Sequence, residues 1–274
     1  MRQVEVHHGA ATDVGRVREV NEDAWMAAAP VFAVADGMGG HEGGDVASRI
    51  VVEEFTRLAE RGYDPQRGRE AVAEVLDEAQ RRLLEYAAQQ AGEGVAARRR
   101  AGTTAVAALL VEDASGPAWL LANLGDSRIY RVADGALVQV STDHSLVQEL
   151  VDAGRISPEE AAVHPERNVI TRALGESLGV EPDYFELRLA DAERLLLCTD
   201  GVTGMLDDEA IGVILAETAD PRDAADRLVA AAVAAGGADN ATAVVIDVVG
   251  LLPEDHYDPD RQRATLEEKL GVRP

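Results

Sequence analysis

Apolar positions along the chain switch between two periodicities, and the switches divide it into segments. Gln3 to Val6 alternate as a short strand does, and Ala24-Trp25-Met26 follows two adjacent carboxylates, Glu22 and Asp23. Val31-Phe32-Ala33-Val34-Ala35 is an unbroken apolar run, as expected of a strand covered on both faces, and it runs out into Asp36, Gly37, Met38, Gly39, Gly40 and His41. From Asp45 to Arg61 the positions Ala47, Ile50, Val51, Phe55 and Leu58 recur at helical spacing, with Asp45 as the expected N-cap. Gly62 to Gly68 interrupts. A second helix is predicted from Arg69 to Gln90 on Val72, Val75, Leu76, Ala79, Leu83 and Tyr86, and both helices read as packing elements.

Beyond Gly102 the period changes to that of strands. Thr103 to Val111 and Ala118 to Leu124 are apolar runs separated by the turn-rich segment Glu112 to Pro117, and the second run ends in Gly125-Asp126. Ile129 to Val132 pairs with Ala136 to Val140 across Ala133-Asp134-Gly135, where Asp-Gly marks a hairpin. The stretch from Ser145 to Val180 is less regular; it contains a capped helix start at Ser157-Pro158-Glu159-Glu160 and reads as a small insert on a sheet. Tyr184 to Leu189 alternates as an edge strand, and Arg194 to Cys198 is a core strand running into Thr199-Asp200-Gly201. Helices are predicted over Asp207 to Glu217 and Pro221 to Ala235. Asp239-Asn240 then leads into a last strand, Ala241 to Val249. Leu251 to Pro274 is charged, weakly helical at Ala264 to Leu270, and reads as an appendage to a domain spanning residues 1–250.

Composition narrows the function classes. The 274 residues carry 46% hydrophobic but only 4% aromatic residues, so the core is built from Ala, Val and Leu. A formal charge of −24 argues against general binding to nucleic acid or anionic membranes, and no apolar run is long enough to span a bilayer. Met1 to Ala10 has no apolar leader-like core. The single cysteine, Cys198, excludes an internal disulfide framework and fits a reducing compartment. A cytoplasmic monomer is expected. Arg98-Arg99-Arg100 reads as a solvated loop.

The carboxylates carry the chemistry. Asp36, Asp126, Asp200 and Asp239 all sit at ends of predicted core strands, with Glu22-Asp23 near another, and a sandwich brings such ends together. An oxygen-only donor set selects hard cations, Mg²⁺ or Mn²⁺, over zinc. Two such ions sharing one carboxylate activate a water for in-line attack on phosphorus, and they reverse the local field so that an acidic protein holds a phosphate. Arg18, four residues before Glu22, offers a bidentate fork for phosphate oxygens.

These segments, in order, resemble the PPM family of metal-dependent protein serine/threonine phosphatases, also called PP2C, in its bacterial form. The matching pieces are Arg18 with Asn21-Glu22-Asp23, Ala35 to His41, Ala101-Gly102-Thr103-Thr104, Gly125-Asp126-Ser127-Arg128, Thr142-Asp143-His144-Ser145, Thr171 to Gly175, Thr199-Asp200-Gly201 and Asp239-Asn240-Ala241-Thr242. The resemblance implies an α+β fold, a four-layer α-β-β-α sandwich of two antiparallel sheets flanked by helices, with the ions in a cleft at one edge. It implies that Asp36 bridges two Mn²⁺ or Mg²⁺ ions. Asp200 and Asp239 would complete the first, and Glu22 or Asp23 with the Gly37 carbonyl the second. Asp126 with Asp200 would hold a weaker third ion. The Ser145 to Val180 insert corresponds to a flap that touches substrate. The implied substrates are phosphoproteins carrying phosphoserine or phosphothreonine, including a serine/threonine kinase or its targets.

Relatives with a His directly after the Asp-Gly use it as general acid; Met38 stands there in this chain, which leaves His41 or a metal-bound water for that task. His144 and His164 read as structural or surface residues. Cys198 lies in an apolar strand and lacks the closing Arg of a cysteine phosphatase, since Gly204 stands six residues on. Two rival readings are a nuclease or phosphoesterase of another two-metal class, which the acidic surface and ordered motifs disfavour, and a metal-free binding module, which the unsubstituted ligand positions disfavour.

Overall fold

The computed structural model describes residues 4–39, 43–91, 101–114, 116–175 and 181–251. In chain order the strands are β1 (Val4–Asp13), β2 (Asp23–Ala28), β3 (Val31–Met38), β4 (Gly102–Thr103), β5 (Ala105–Asp113), β6 (Gly116–Leu124), β7 (Arg128–Ala133), β8 (Ala136–Gln139), β9 (Asp183–Arg188), β10 (Arg194–Cys198) and β11 (Ala241–Leu251). The helices are α1 (Gly44–Arg61), α2 (Gly68–Ala91), α3 (Leu146–Asp152), α4 (Pro158–Ala162), α5 (Asp200–Thr203), α6 (Asp208–Glu217) and α7 (Pro221–Ala235).

Alternation within the apolar runs decides how these elements stack. In β5, Ala105, Ala107, Leu109 and Val111 pack to one side and Val106, Ala108 and Leu110 to the other, and all are buried. A strand apolar on both faces needs a layer on each side. One sheet runs β2-β3-β5-β6-β9, with β4 continuing along β3; the other runs β1-β11-β10-β7-β8. Neighbouring strands in both are antiparallel. The outer face of the first sheet packs under α1 and α2, through Val51, Phe55, Leu58, Val72 and Leu83. The outer face of the second packs under α6 and α7, through Ile211, Leu215, Leu228 and Ala232. Between the sheets, Phe32 and Trp119 meet edge to face at 6.0 Å among Val34, Leu121, Leu195, Leu197, Val244 and Ile246. The four-layer α-β-β-α sandwich expected from the motifs is therefore the observed fold, and β9 is the edge strand its alternation suggested.

Three local readings change. β1 extends through Asp13, far past Val6, because it pairs with β11 from Val4↔Leu251 to Asp13↔Ala241; polar His7, His8 and Thr12 hide the alternation. Asp36 is not the end of its strand: β3 runs on to Met38 by changing partner from β5 to β4. Asp45 is not an N-cap. Helix α1 begins one residue earlier, after Gly43, and Asp45 lies in its first turn, where a negative charge suits the helix dipole. The cause is close packing. A side chain on Gly37 would collide with the carbonyl oxygens of Gly44 and Glu22, so the glycine after Asp36 serves the approach of α1.

The insert carries α3, capped by Ser145, and α4, opened by a capping box of Ser157 and Glu160 as its sequence suggested. A bridge at Thr103↔Leu174 fastens it to the sandwich, and one at Ser145↔Ile170 closes the insert on itself. Residues 176–180 of the expected flap, His41, Arg98 to Arg100 and the appendage beyond Leu251 lie outside the described residues.

Candidate metal centre

Each predicted carboxylate arrives at the same edge by a different local route. Asp36 shares its side of β3 with Phe32 and Val34, which face the layer between the sheets, and Asp23 is its cross-strand neighbour on β2. Like charges directly opposite on adjacent strands repel. Asp200 is the first residue of α5, one residue beyond β10 after Thr199, and a side chain on Gly201 would collide with the Asn240 carbonyl; that contact presses Asp200 toward the Asp239 loop. Asp126 lies in the turn from β6 to β7 behind Gly125, whose φ is +113°. A Cβ there would lie 2.5 Å from the Thr104 methyl, so only glycine makes this turn.

Arg18 is carried by an anchored loop. The Asn240 side chain donates to the carbonyls of Val14 and Val20, each at 3.0 Å, and accepts the Glu22 N–H at 2.8 Å. The Arg16 N–H donates to the Gly237 carbonyl at 2.7 Å. Arg18 itself donates from Nη2 to Asp239 Oδ2 at 2.7 Å, so the proposed phosphate fork rests on a proposed metal ligand. Glu22 is buried, and its carboxylate lies against Gly44 at the start of α1.

The electrostatics show what the cluster lacks. Burial, followed by the charges of Asp200 and Asp239, pushes Asp23 up to about 7 despite hydrogen bonds from Thr242 and Thr199. Burial and then Asp200 push Asp126 up to about 7. Asp36 is raised well above the carboxylate range by burial and by Asp23, Asp200, Asp126 and Asp239 together. Burial and Asp239 raise Asp200, whose carboxylate stands within hydrogen-bonding reach of Asp36. On Asp23, Oδ2 accepts from the Thr242 hydroxyl at 2.7 Å and the Thr199 hydroxyl at 2.9 Å, whereas Oδ1 is buried without a partner. Asp126 Oδ1 and Asp200 Oδ1 are likewise buried and unpartnered.

Three orphaned carboxylate oxygens in one repelling cluster form a donor set that fits a hard cation. Among the described residues no three of these groups close into a cage by side chains alone, so water and backbone carbonyls would complete any coordination shell. The donors fit Mg²⁺ or Mn²⁺: they are oxygens throughout, and among the described residues the imidazole beside the Asp126 turn, that of His144, is engaged with the Gly125 N–H and Asp183.

The structure thus brings together Arg18, Glu22, Asp23, Asp36, Gly37, Asp126, Asp200 and Asp239, while His41 is outside the described residues. It adds residues to which sequence reasoning gave no role. Thr104 Oγ1 accepts the Asp36 N–H at 2.9 Å and contacts Ser127 Oγ at 2.7 Å, knitting the Asp36 strand to the Asp126 turn. Thr199 and Thr242 orient Asp23 from the opposite sheet. Their signal was present: each continues the inward-facing side of its strand. Cys198 is buried and its thiol is pushed up to about 12 by burial, so it stays protonated in the core as read.

Known proteins resemble the chain over most of its length. The family model described as protein phosphatase 2C matches residues 15–235. The serine/threonine protein phosphatase PstP of Mycobacterium tuberculosis is 40% identical over 251 residues, covering 89% of this chain. The chain spans only 45% of that relative's length. The serine/threonine phosphatase stp of Listeria monocytogenes is 35% identical over 254 residues, covering 88% of this chain and 96% of the relative. The solved catalytic domain of PstP in complex with two manganese ions superposes with a TM-score of 0.73 at 37% identity, covering 89% of this chain and 98% of that one.

Proposed function

The chain belongs to the protein phosphatase 2C family, and from that premise we propose that it is a metal-dependent protein serine/threonine phosphatase acting on phosphoserine and phosphothreonine. The observation that carries the reading is the set of buried, unpartnered oxygens on Asp23, Asp126 and Asp200 around Asp36, with Arg18 beside them. Asp36 would bridge two core ions. Asp200 and Asp239 would hold the first, Glu22 or Asp23 with the Gly37 carbonyl the second, and Asp126 with Asp200 a weaker third. Two manganese ions in the PstP catalytic domain support a two-ion core. When bound, divalent cations supply Lewis-acid polarisation of the phosphoryl group and a water nucleophile at neutral pH.

The chain's own residues do the rest. Arg18, already ion-paired with Asp239, presents its remaining N–H groups to the phosphate oxygens and orients the ester for in-line attack. The hydroxyls of Thr199 and Thr242 fix one oxygen of Asp23 and leave the other free. The leaving alkoxide takes its proton from His41 or from water. The phosphatase domain would comprise residues 1–250 with the flap over 145–180, and residues 251–274 would be appended. Phosphoproteins, including a serine/threonine kinase or its targets, are the partners we assign. A cytoplasmic monomer is the form we expect; among the described residues no helix is long and apolar enough to cross a membrane.

The test is hydrolysis of p-nitrophenyl phosphate and a phosphothreonine peptide by the purified chain. Activity requires added Mn²⁺ or Mg²⁺ and disappears in EDTA; full activity in EDTA would overturn the metal assignment.

A further inference from the structure

His144 joins the flap to the turn that carries Asp126, and it does so with both ring nitrogens. It is 4% exposed. Its backbone N–H donates to the Gly125 carbonyl at 2.9 Å, and its Nδ1 accepts the Gly125 N–H at 3.1 Å. Both backbone groups of the glycine that makes the turn therefore end on one residue. On its far side, the His144 carbonyl accepts the Thr171 N–H at 2.8 Å, and Nε2 faces Asp183 Oδ2 at 3.2 Å. Asp183 Oδ1 in turn accepts from Arg172 Nη1 at 3.1 Å.

The two ring bonds are linked through the tautomer. An imidazole that accepts at Nδ1 carries its single proton on Nε2, and a carboxylate facing Nε2 selects that form. The 3.3 Å approach of Arg172 Nη1 to Nε2 then joins two donors and is no bond, so the arginine acts through Asp183. Thr171 and Arg172 belong to the flap, whereas Asp183 opens β9 on the sandwich. Seating of the flap, tautomer of the ring and shape of the Gly125 turn thus form one chain of contacts, and Asp126 is the next residue along it.

We propose that His144 is a positioning residue for Asp126, with Asp183 and Arg172 setting the tautomer that lets its Nδ1 hold the Gly125 turn. The role goes beyond the structural reading of His144 from sequence, and its catalytic consequence rests on the assignment of Asp126 as a ligand of the third ion. Groups that orient a metal ligand usually matter by about 10- to 100-fold in affinity or activity when removed.

Four variants test it. His144→Leu removes the acceptor and should lower kcat by about 10- to 100-fold, with KM for p-nitrophenyl phosphate little changed and the weakest Mn²⁺ binding event lost in calorimetric titration. His144→Asn places a carbonyl oxygen near the Nδ1 position and should recover most of both. Nitrogen NMR of the imidazole should show Nε2–H in the parent chain and in Asp183→Asn, and mixed tautomers in Asp183→Leu. A folded His144→Leu variant with parental kcat and Mn²⁺ titration overturns the proposal. So does His144→Asn as impaired as His144→Leu, or an Nδ1–H ring in the parent chain. If the parent chain itself shows no metal-dependent hydrolysis, the functional reading fails separately, and the ring spectra and Mn²⁺ titrations still judge the strut. If His144→Leu does not fold, the Asp183 pair and the parent spectra decide.

Discussion

Two ends of the layer between the sheets use the same strand positions for opposite purposes. In its middle, Phe32 and Val34 of β3, Trp119 and Leu121 of β6, Leu195 and Leu197 of β10, and Val244 and Ile246 of β11 are buried and apolar. Two residues further along the same side of each strand, at the cleft, stand Asp36, Asn123, Thr199 and, toward the start of β11, Thr242. Thr104 continues the series Leu110, Ala108, Val106, and Ser127 precedes Ile129 in the same way. The site is the end of the core rewritten in oxygen atoms. The strand alternation runs through both ends, so a change of side-chain chemistry turns packing into a place where charge accumulates, and the tight turns at Gly125 and Gly201 add Asp126 and Asp200 to it.

Substitutions four residues apart on β3 should separate the two ends most sharply. Asp36→Asn is expected to lower metal-dependent phosphatase activity by about a thousandfold or more, roughly 4 kcal/mol of barrier, while the metal-free protein stays folded or gains stability. Phe32→Ala is expected to cost about 3–5 kcal/mol of stability in denaturant titration, with the surviving folded fraction retaining its activity per molecule. An Asp36→Asn chain that unfolds, or a Phe32→Ala chain that keeps its stability, would break the contrast.

A smaller effect ties the ends together through pH. Asp23 and Asp126 have an ordinary value of 3.8 and are raised to about 7 in the fold, so between those values the native state holds more protons than the unfolded chain. Their contribution to the stability of the metal-free protein is therefore fully present below about 4 and is lost as pH rises through about 7. Mn²⁺ relieves the same repulsion, so the rise in Tm on adding it should be larger at pH 8 than at pH 5. Repulsion among the surface charges behind the net −24 acts in the same direction. The Asp23→Asn, Asp126→Asn double variant serves as the control, because it removes the two groups that titrate: a metal-free pH profile as steep as the parent's would assign the slope to the surface instead of the cluster.

What could be read from sequence follows the same division. The long apolar runs of β3, β5, β6, β10 and β11 and the helical periodicities of α1, α2 and α7 stand out, because burial on both faces or along one stripe leaves an unbroken pattern. The Asp positions stand out because a charge ending such a run is costly. β1 looks short in the sequence because His7 and Thr12 interrupt its alternation; Thr12 spends its hydroxyl on Thr242, a partner 230 residues away. The early start of α1 depends on the contact of Gly44 with Gly37 and Glu22, which no local propensity encodes. The hydroxyls of Thr104, Thr199 and Thr242 were visible only as motif letters, since their function depends on bonds across the gap between sheets.

Arg18 offers the mildest test, because it touches the cluster from outside. Its side chain is 46% exposed, and its bond to Asp239 is reinforced by the loop that Asn240 pins at Val14 and Val20. A residue that mainly binds phosphate should, when removed, weaken substrate binding more than it slows turnover. Arg18→Ala is expected to raise KM for a phosphothreonine peptide about tenfold with a lesser change in kcat, the size of one lost charge-assisted hydrogen bond. Arg18→Lys should restore charge but not the fork, and so recover only part of the loss. An unchanged KM with a collapsed kcat would instead assign Arg18 to holding Asp239 in place, moving it from the substrate side of the cleft to the oxygen-lined end of the core.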